Sequence, residues 1–135
     1  MSERLDERRE VRREVELEAR VDEVWRALVE PRLLEEWLAD EVEMEPIPGS
    51  PARFRNGEEE REGIVVRVEE EHRLAFTWSR PGEAPSEVEL TVDAVADRTR
   101  LRVVERAIVG PTSVSPAGWG GRLTALASAL TLVAA

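Results

Sequence analysis

Few residues in this chain have side chains that do chemistry readily. There is no cysteine and a single histidine, His72. Disulfides and thiol catalysis are therefore excluded, and a zinc or haem site lacks its ordinary ligands. His72 falls between Glu71 and Arg73 in a charged turn, where solvent exposure is expected. The runs Glu58-Glu59-Glu60 and Glu69-Glu70-Glu71 lack the alternating Asp/Asn pattern and the glycine of a calcium loop, and charge runs are ordinarily solvated faces. The sequence shows no Ser-His-Asp order, phosphate loop or dinucleotide-binding glycine pattern.

What remains is one carboxylate and a set of indoles. Glu105 keeps step with Leu101 and Val103 in an alternating stretch, so strand parity turns it to the dry face of a sheet. A carboxylate there must be paired, hydrated or protonated. One reading is a structural ion pair with Arg13, Arg53, Arg55 or Arg122. The other is a polar group in a cavity, orienting a ligand or serving as an acid or base. A β-bulge would instead send Glu105 to solvent. The four tryptophans stand against two phenylalanines and no tyrosine. All four as core is one reading. Trp37, Trp78 and Trp119 as flat walls for a ring-bearing ligand is the other. Arg53 and Arg55 flank Phe54, so an inward Phe54 makes both ordinary surface charges. Arg122 is expected either at a cavity mouth or as a snorkelling edge residue.

These residues need elements to hold them. Residues 1–10 are charged and without apolar period, which predicts a flexible tail before a domain of residues 11–135. Val11, Val15, Leu17 and Ala19 alternate as in a half-buried strand. Asp22 is the expected N-cap of a short helix over Glu23–Val29, which Pro31 ends. A second short helix is expected over Arg32–Leu38. Strands follow at Glu41–Glu45 and Ala52–Arg55, with Asn56-Gly57 as a hairpin turn. Further strands are expected at Glu62–Glu69, with Ile64, Val66 and Val68 inward, and at His72–Ser79. Glu87–Ala96 and Thr99–Val109 complete the set, with Asp97-Arg98 between them. Ser115 and Pro116 cap a long helix in which Trp119, Leu123, Leu126, Leu130 and Val133 share one face. Its opposite side carries Thr124, Ser128 and Thr131 without charge, so the helix is expected to be buried nearly all round. Gly118, Gly120 and Gly121 loosen its start, either as a gate with the Gly110-Pro111 loop or for close packing on the sheet. The fold class is α+β: a curved antiparallel sheet of six to seven strands gripping a long C-terminal helix, with two short helices after the first strand.

Composition limits the partners. The 135 residues suffice for one domain with a real core. With a net charge of −10 and every basic residue an arginine, phosphate backbones and anionic membranes are repelled, so no nucleic-acid partner is expected. The C-terminal apolar stretch is too short to span a bilayer, and the chain opens with no secretory pattern, so a cytoplasmic location is expected.

In order and spacing, several stretches resemble the START-like superfamily (SRPBCC, or Bet v 1-like). The branch they look most like is the C-terminal domain of the heat-shock protein 90 ATPase activator. These stretches are Ala19–Val29 with Val24-Trp25, Leu33–Trp37, Gly63-Ile64-Val65, and Arg73-Leu74-Ala75-Phe76-Thr77-Trp78. Thr99-Arg100-Leu101 and Gly118-Trp119 with Leu123–Leu126 complete them, so the likeness covers residues 11–135. Many relatives carry a histidine where this chain has Glu105, so no role of that histidine transfers. The resemblance implies a cavity between sheet and helix for a small hydrophobic or amphipathic molecule, without cofactor or metal. Trp37, Phe54, Trp78, Leu90 and Val103 are the candidates to line it from the short helices and sheet. Glu105, Trp119, Arg122, Leu123 and Leu126 are the candidates from the last strand and the helix. A cyclase or lyase using Glu105 and a chaperone-interacting module are the alternatives to a simple binder. The uncharged helix side and the aromatic short helices also predict a homodimer.

Overall fold

The computed structural model describes residues 10–108 and 118–134, with side chains through Leu130. Strand β1 (Glu10–Leu17) leads into helix α1 (Val21–Val29) and the single-turn helix α2 (Pro31–Leu34). Strands β2 (Glu41–Met44), β3 (Pro51–Asn56), β4 (Glu59–Glu69) and β5 (Arg73–Trp78) follow. Then come β6 (Ser86–Val95), β7 (Arg98–Ala107) and helix α3 (Trp119–Ala134). All seven strands form one antiparallel sheet in the order β1-β7-β6-β5-β4-β3-β2. The helix-grip architecture expected from the alternation is the one present. The caps expected at Ser115 and Pro116, the Gly110-Pro111 gate, and the Val133 and Thr131 side chains lie outside the described residues.

The core forms where the sheet's concave face meets α1 and α3. Leu74, Phe76, Val88, Leu90, Leu101 and Val103 supply the sheet side, and Val24, Leu28, Trp119 and Leu126 the helix side. The convex face is wet and charged. Arg102 and Arg100 reach Glu14 across β1 and β7, and Arg106 reaches Glu10 and Glu87. Such exposed pairs contribute little each, so burial on the concave side holds the fold together. No helix of the described residues is long and apolar enough to cross a membrane.

Four local expectations are corrected. Helix α1 starts at Val21 with Arg20 at its N-cap, not Asp22. The Glu23 carboxylate accepts the Arg20 backbone N–H at 3.1 Å, which closes the first turn from its third residue and leaves Asp22 as an acid within that turn. The second helix ends at Leu34 and Glu35–Leu38 continue only as turns. The turn between β6 and β7 is Ala96-Asp97, not Asp97-Arg98, and Ala96 takes the left-handed backbone (φ 56°). Helix α3 is buried on one face only: Gly120, Gly121, Thr124 and Ser128 are exposed, because the sheet covers the Trp119–Leu130 stripe and nothing within the described chain covers the other side.

A fifth correction, in β4, has the largest consequence. Val65 is buried at 1 % exposure, whereas Ile64 and Val66 are 48 % and 40 % exposed. The parity is thus opposite to the one expected at Ile64 and Val66. A register shift between Val65 and Arg67 makes Val66 an extra residue against β5 and returns Val68 to the inner side. Gly63 explains how the strand is seated. A Cβ at Gly63 would overlap the Thr77 carbonyl, and the Ile64 backbone N–H donates to Thr77 Oγ1 at 3.1 Å. Only glycine permits that approach. With Val65 and Gly63 on the concave side, Arg61 is on it too, opposite the buried Phe54.

Candidate functional site

The inner end of the sheet gathers the aromatic residues. Phe54 on β3, Phe76 and Trp78 on β5, and Trp119 at the start of α3 form a continuous run. Phe54 meets Trp78 edge-on at 5.4 Å between ring centroids, and Trp78 stacks on Trp119 at 5.8 Å. Register explains the grouping. Trp78 stands opposite Ser86 on β6, and Glu105 on β7 stands opposite Val88, two residues along the same face.

Glu105 faces inward and is 7 % exposed. None of the arginines proposed as its partner bonds to it. Its Oε2 accepts the Trp78 indole N–H at 2.8 Å and the Ser86 hydroxyl at 2.6 Å, and its Oε1 accepts the Trp119 indole N–H at 2.8 Å. Arg13 is instead exposed at the β1 edge, Arg53 pairs loosely with Glu43 and Glu60, and Arg55 pairs with Glu41. An indole N–H can only donate, so both carboxylate oxygens are used as acceptors. Glu105 therefore pins two indoles that come from different elements, one from the sheet and one from the helix. Ser86 was not anticipated; its signal is its place at the first residue of β6, on the parity of Val88 and Leu90.

Two guanidinium groups roof the indoles. Arg61 lies 4.3 Å from the Trp78 ring centroid, and Arg122 lies 5.4 Å from that ring and 5.2 Å from Trp119. Arg122 Nε donates to the Leu38 carbonyl at 3.1 Å, which ties α3 to the short-helix region. Burial lowers the pKa of both groups below the ordinary arginine value. Arg122 is lowered further by Arg61's charge, while the charge of Glu105 opposes the shift in both. Arg61 is not among the residues expected in the site because the expected strand begins at Glu62, whereas β4 begins at Glu59 and sets Arg61 on the side of Gly63 and Val65.

Three openings approach this cluster or border it. A small recess of about 20 Å³ has Phe54, Trp78, Arg61 and Arg122 in its wall, with Leu38, Ala39, Asn56 and Glu59 around it. It shares Leu38, Ala39, Asn56 and Arg122 with a wider cleft of about 300 Å³ that runs past Trp37 to Gly118 and Gly121. A separate, largely apolar groove of about 200 Å³ lies between the short helices and α3, over Ala27, Leu33, Trp37, Leu126, Ala129 and Leu130. Trp37 divides the last two openings, held by its indole N–H donating to the Ala27 carbonyl at 2.9 Å. Of the candidate lining residues, Trp37, Phe54, Trp78, Arg122 and Leu126 border these openings. Leu90, Val103, Glu105, Trp119 and Leu123 are packed behind them and border none of the three. His72 is exposed, as expected. Among the described residues, no group of three His, Asp or Glu side chains is placed to hold a metal ion.

The comparisons with known proteins agree with this architecture. Residues 18–131 match the family model described as activator of Hsp90 ATPase homolog 1-like protein. No curated protein matches the chain. Among solved structures, DynU16, from the dynemicin biosynthetic locus, is 31 % identical with a TM-score of 0.82; the match covers 91 % of this chain but only 47 % of DynU16. CalU16 from Micromonospora echinospora is 26 % identical with a TM-score of 0.73, covering 93 % of this chain and 85 % of that one. The Aha1 dimer from Colwellia psychrerythraea shares the fold at a TM-score of 0.75 and 18 % identity, covering 90 % and 95 % of the two chains.

Proposed function

The chain belongs to the activator of Hsp90 ATPase homolog 1-like family, of SRPBCC fold, and from that premise we propose that it binds a small amphipathic molecule in the cleft of about 300 Å³ that adjoins the Phe54–Trp78 end of the sheet through Leu38, Ala39 and Arg122. The observation that carries this reading is the Glu105 anchor. It fixes two stacked indoles behind an opening whose wall is Phe54, Trp78, Arg61 and Arg122. A rigid aromatic wall with a few polar groups at its rim is the usual construction of a small-molecule site. Glu105 acts here as a positioning residue rather than as an acid or base, since its oxygens are already taken by three donors. The biosynthetic locus of DynU16 supports a small molecule over a macromolecular partner. Native mass spectrometry with the neutral probe N-phenyl-1-naphthylamine tests the reading. One probe per chain, quenching tryptophan emission and lost in Trp78→Leu, is the expected result. Absence of any complex, or an equal complex in Trp78→Leu, would refute it.

A homodimer is favoured by a second observation. In a chain that is 36 % charged, the exposed side of α3 presents Gly120, Gly121, Thr124 and Ser128 without a charge, beside the apolar groove over Trp37 and Leu130. A second copy laid along α3 would cover both at once. Light scattering at tens of micromolar is expected to give twice the chain mass of 15.2 kDa. Thr124→Glu with Ser128→Glu is expected to halve it. A wild-type mass of one chain would end this reading.

A further inference from the structure

We propose that Arg61 and Arg122 form an anion-reading pair, so that the ligand is a ring compound bearing a carboxylate, sulfonate or comparable acidic group. This rests on the ligand-binding reading and specifies its polar end. The two residues come from distant parts of the chain, β4 and α3, yet both guanidinium groups lie over the same Trp78 ring. Bringing two like charges together in a partly desolvated place is unfavourable unless something offsets it. The structure offers neither of them a direct carboxylate partner; Glu105 and Glu59 act on them only through space. Among the described residues no Asp or Glu oxygen lies within 4.0 Å of either group, although most arginines of this acidic chain have such a partner.

The nearby acids are engaged elsewhere. Glu105 sits behind the indoles with both oxygens used. Glu59 is held by Arg80 at 2.7 Å. Glu35 accepts the Val42 backbone N–H at 3.0 Å, and Asp40 accepts that of Gly57 at 3.2 Å. Glu36, also at the cleft, is exposed. Arg122 uses its Nε on the Leu38 carbonyl, so its terminal nitrogens are left for a ligand. Arg61 has no hydrogen bond to another described residue and contributes its whole fork. Two planar forks meeting at one recess suit an oxyanion whose oxygens can accept from both. The adjoining cleft of about 300 Å³, which shares Leu38, Ala39 and Arg122 with the recess, has the room for the ring that carries it.

The test pairs two naphthalene fluorophores on the full chain: 8-anilinonaphthalene-1-sulfonate, which is anionic, and N-phenyl-1-naphthylamine, which lacks the sulfonate. The net charge of −10 disfavours any anion in general, so a preference for the sulfonate must come from a local site. The expected result is tighter binding of the sulfonate, weakening as sodium chloride is raised, with little salt effect on the neutral probe. Arg61→Gln and Arg122→Gln are each expected to weaken the sulfonate about tenfold more than they weaken the neutral probe, as loss of one charge-assisted pair implies. Should a glutamine variant lose its circular-dichroism melt, the wild-type salt series decides alone. Binding of the neutral probe with no preference for the sulfonate, or with no salt dependence of the sulfonate, overturns this inference and leaves the binder reading intact. Binding of neither probe overturns both.

Discussion

Replacing Glu105 by glutamine is expected to cost about 2–4 kcal/mol of folding free energy, although the two side chains have the same shape. The reason lies in the donors around it. Trp78, Trp119 and Ser86 all point a hydrogen at the carboxylate. A carboxylamide offers one oxygen and one NH₂. With its oxygen toward Trp78, the NH₂ faces the Trp119 N–H; with the amide turned over, it faces the Trp78 N–H. Ser86 can rotate its hydroxyl to accept, but an indole cannot. One buried N–H is stranded either way, and the remaining bonds lose their charge assistance. The urea midpoint should fall with the slope unchanged. Glu105→Leu, which strands all three donors, should fall further. Equal midpoints for wild type and the glutamine variant would show that the indoles do not depend on the carboxylate. An ion pair with an arginine would have made the same substitution costly for another reason, by stranding a buried cation. The two causes separate experimentally, because here the cost depends on Trp119 and not on Arg53 or Arg55.

The fold was legible because its signals are periodic. Val88, Leu90 and Val92 alternate without a break, and so do Leu101, Val103 and Glu105. A continuous ladder such as β6 on β7 preserves that parity from end to end. Glu105 could be placed inward on this ground alone. Its partners could not, since hydrogen bonds from Trp78 and Trp119 depend on how α3 lies across the sheet, which alternation does not encode. Strand β4 was misread for a definite reason. Ile64, Val66 and Val68 look like one apolar face, but the extra residue at Val66 breaks the period, and Gly63 seats the strand against Thr77. The strand expected from alternation also begins at Glu62, so Arg61, half of the proposed anion site, stands outside it, whereas β4 begins at Glu59. The exposed side of α3 was misjudged differently. Lack of charge predicts burial, whereas in the structure Thr124 and Ser128 reach solvent.

Truncating Trp119 is expected to be the most damaging single change in the site. Trp119→Ala should cost about 3–5 kcal/mol, the range for a large buried aromatic. The side chain is 1 % exposed, stacks on Trp78, lies under Arg122 and donates to Glu105. It is also the first anchor of α3, followed by Leu123, Leu126 and Leu130. Gly120 and Gly121 directly after it are poor helix formers, each weaker than alanine by roughly 1 kcal/mol, so the first turn depends on this anchor to stay docked. Hydrogen exchange at residues 119–123 should therefore accelerate more than at 126–130. A uniform change along α3 would count against this account. Trp119→Phe separates ring from N–H. Alone, it keeps most of the buried area but leaves Oε1 of Glu105 without its donor, at a cost of about 1–3 kcal/mol. In the Glu105→Gln background it removes the very N–H that the amide cannot satisfy, so its cost should shrink toward zero. The cycle of the two substitutions should then show a coupling of about 1–3 kcal/mol, whereas additive costs would mean that helix and sheet are not joined through this bond.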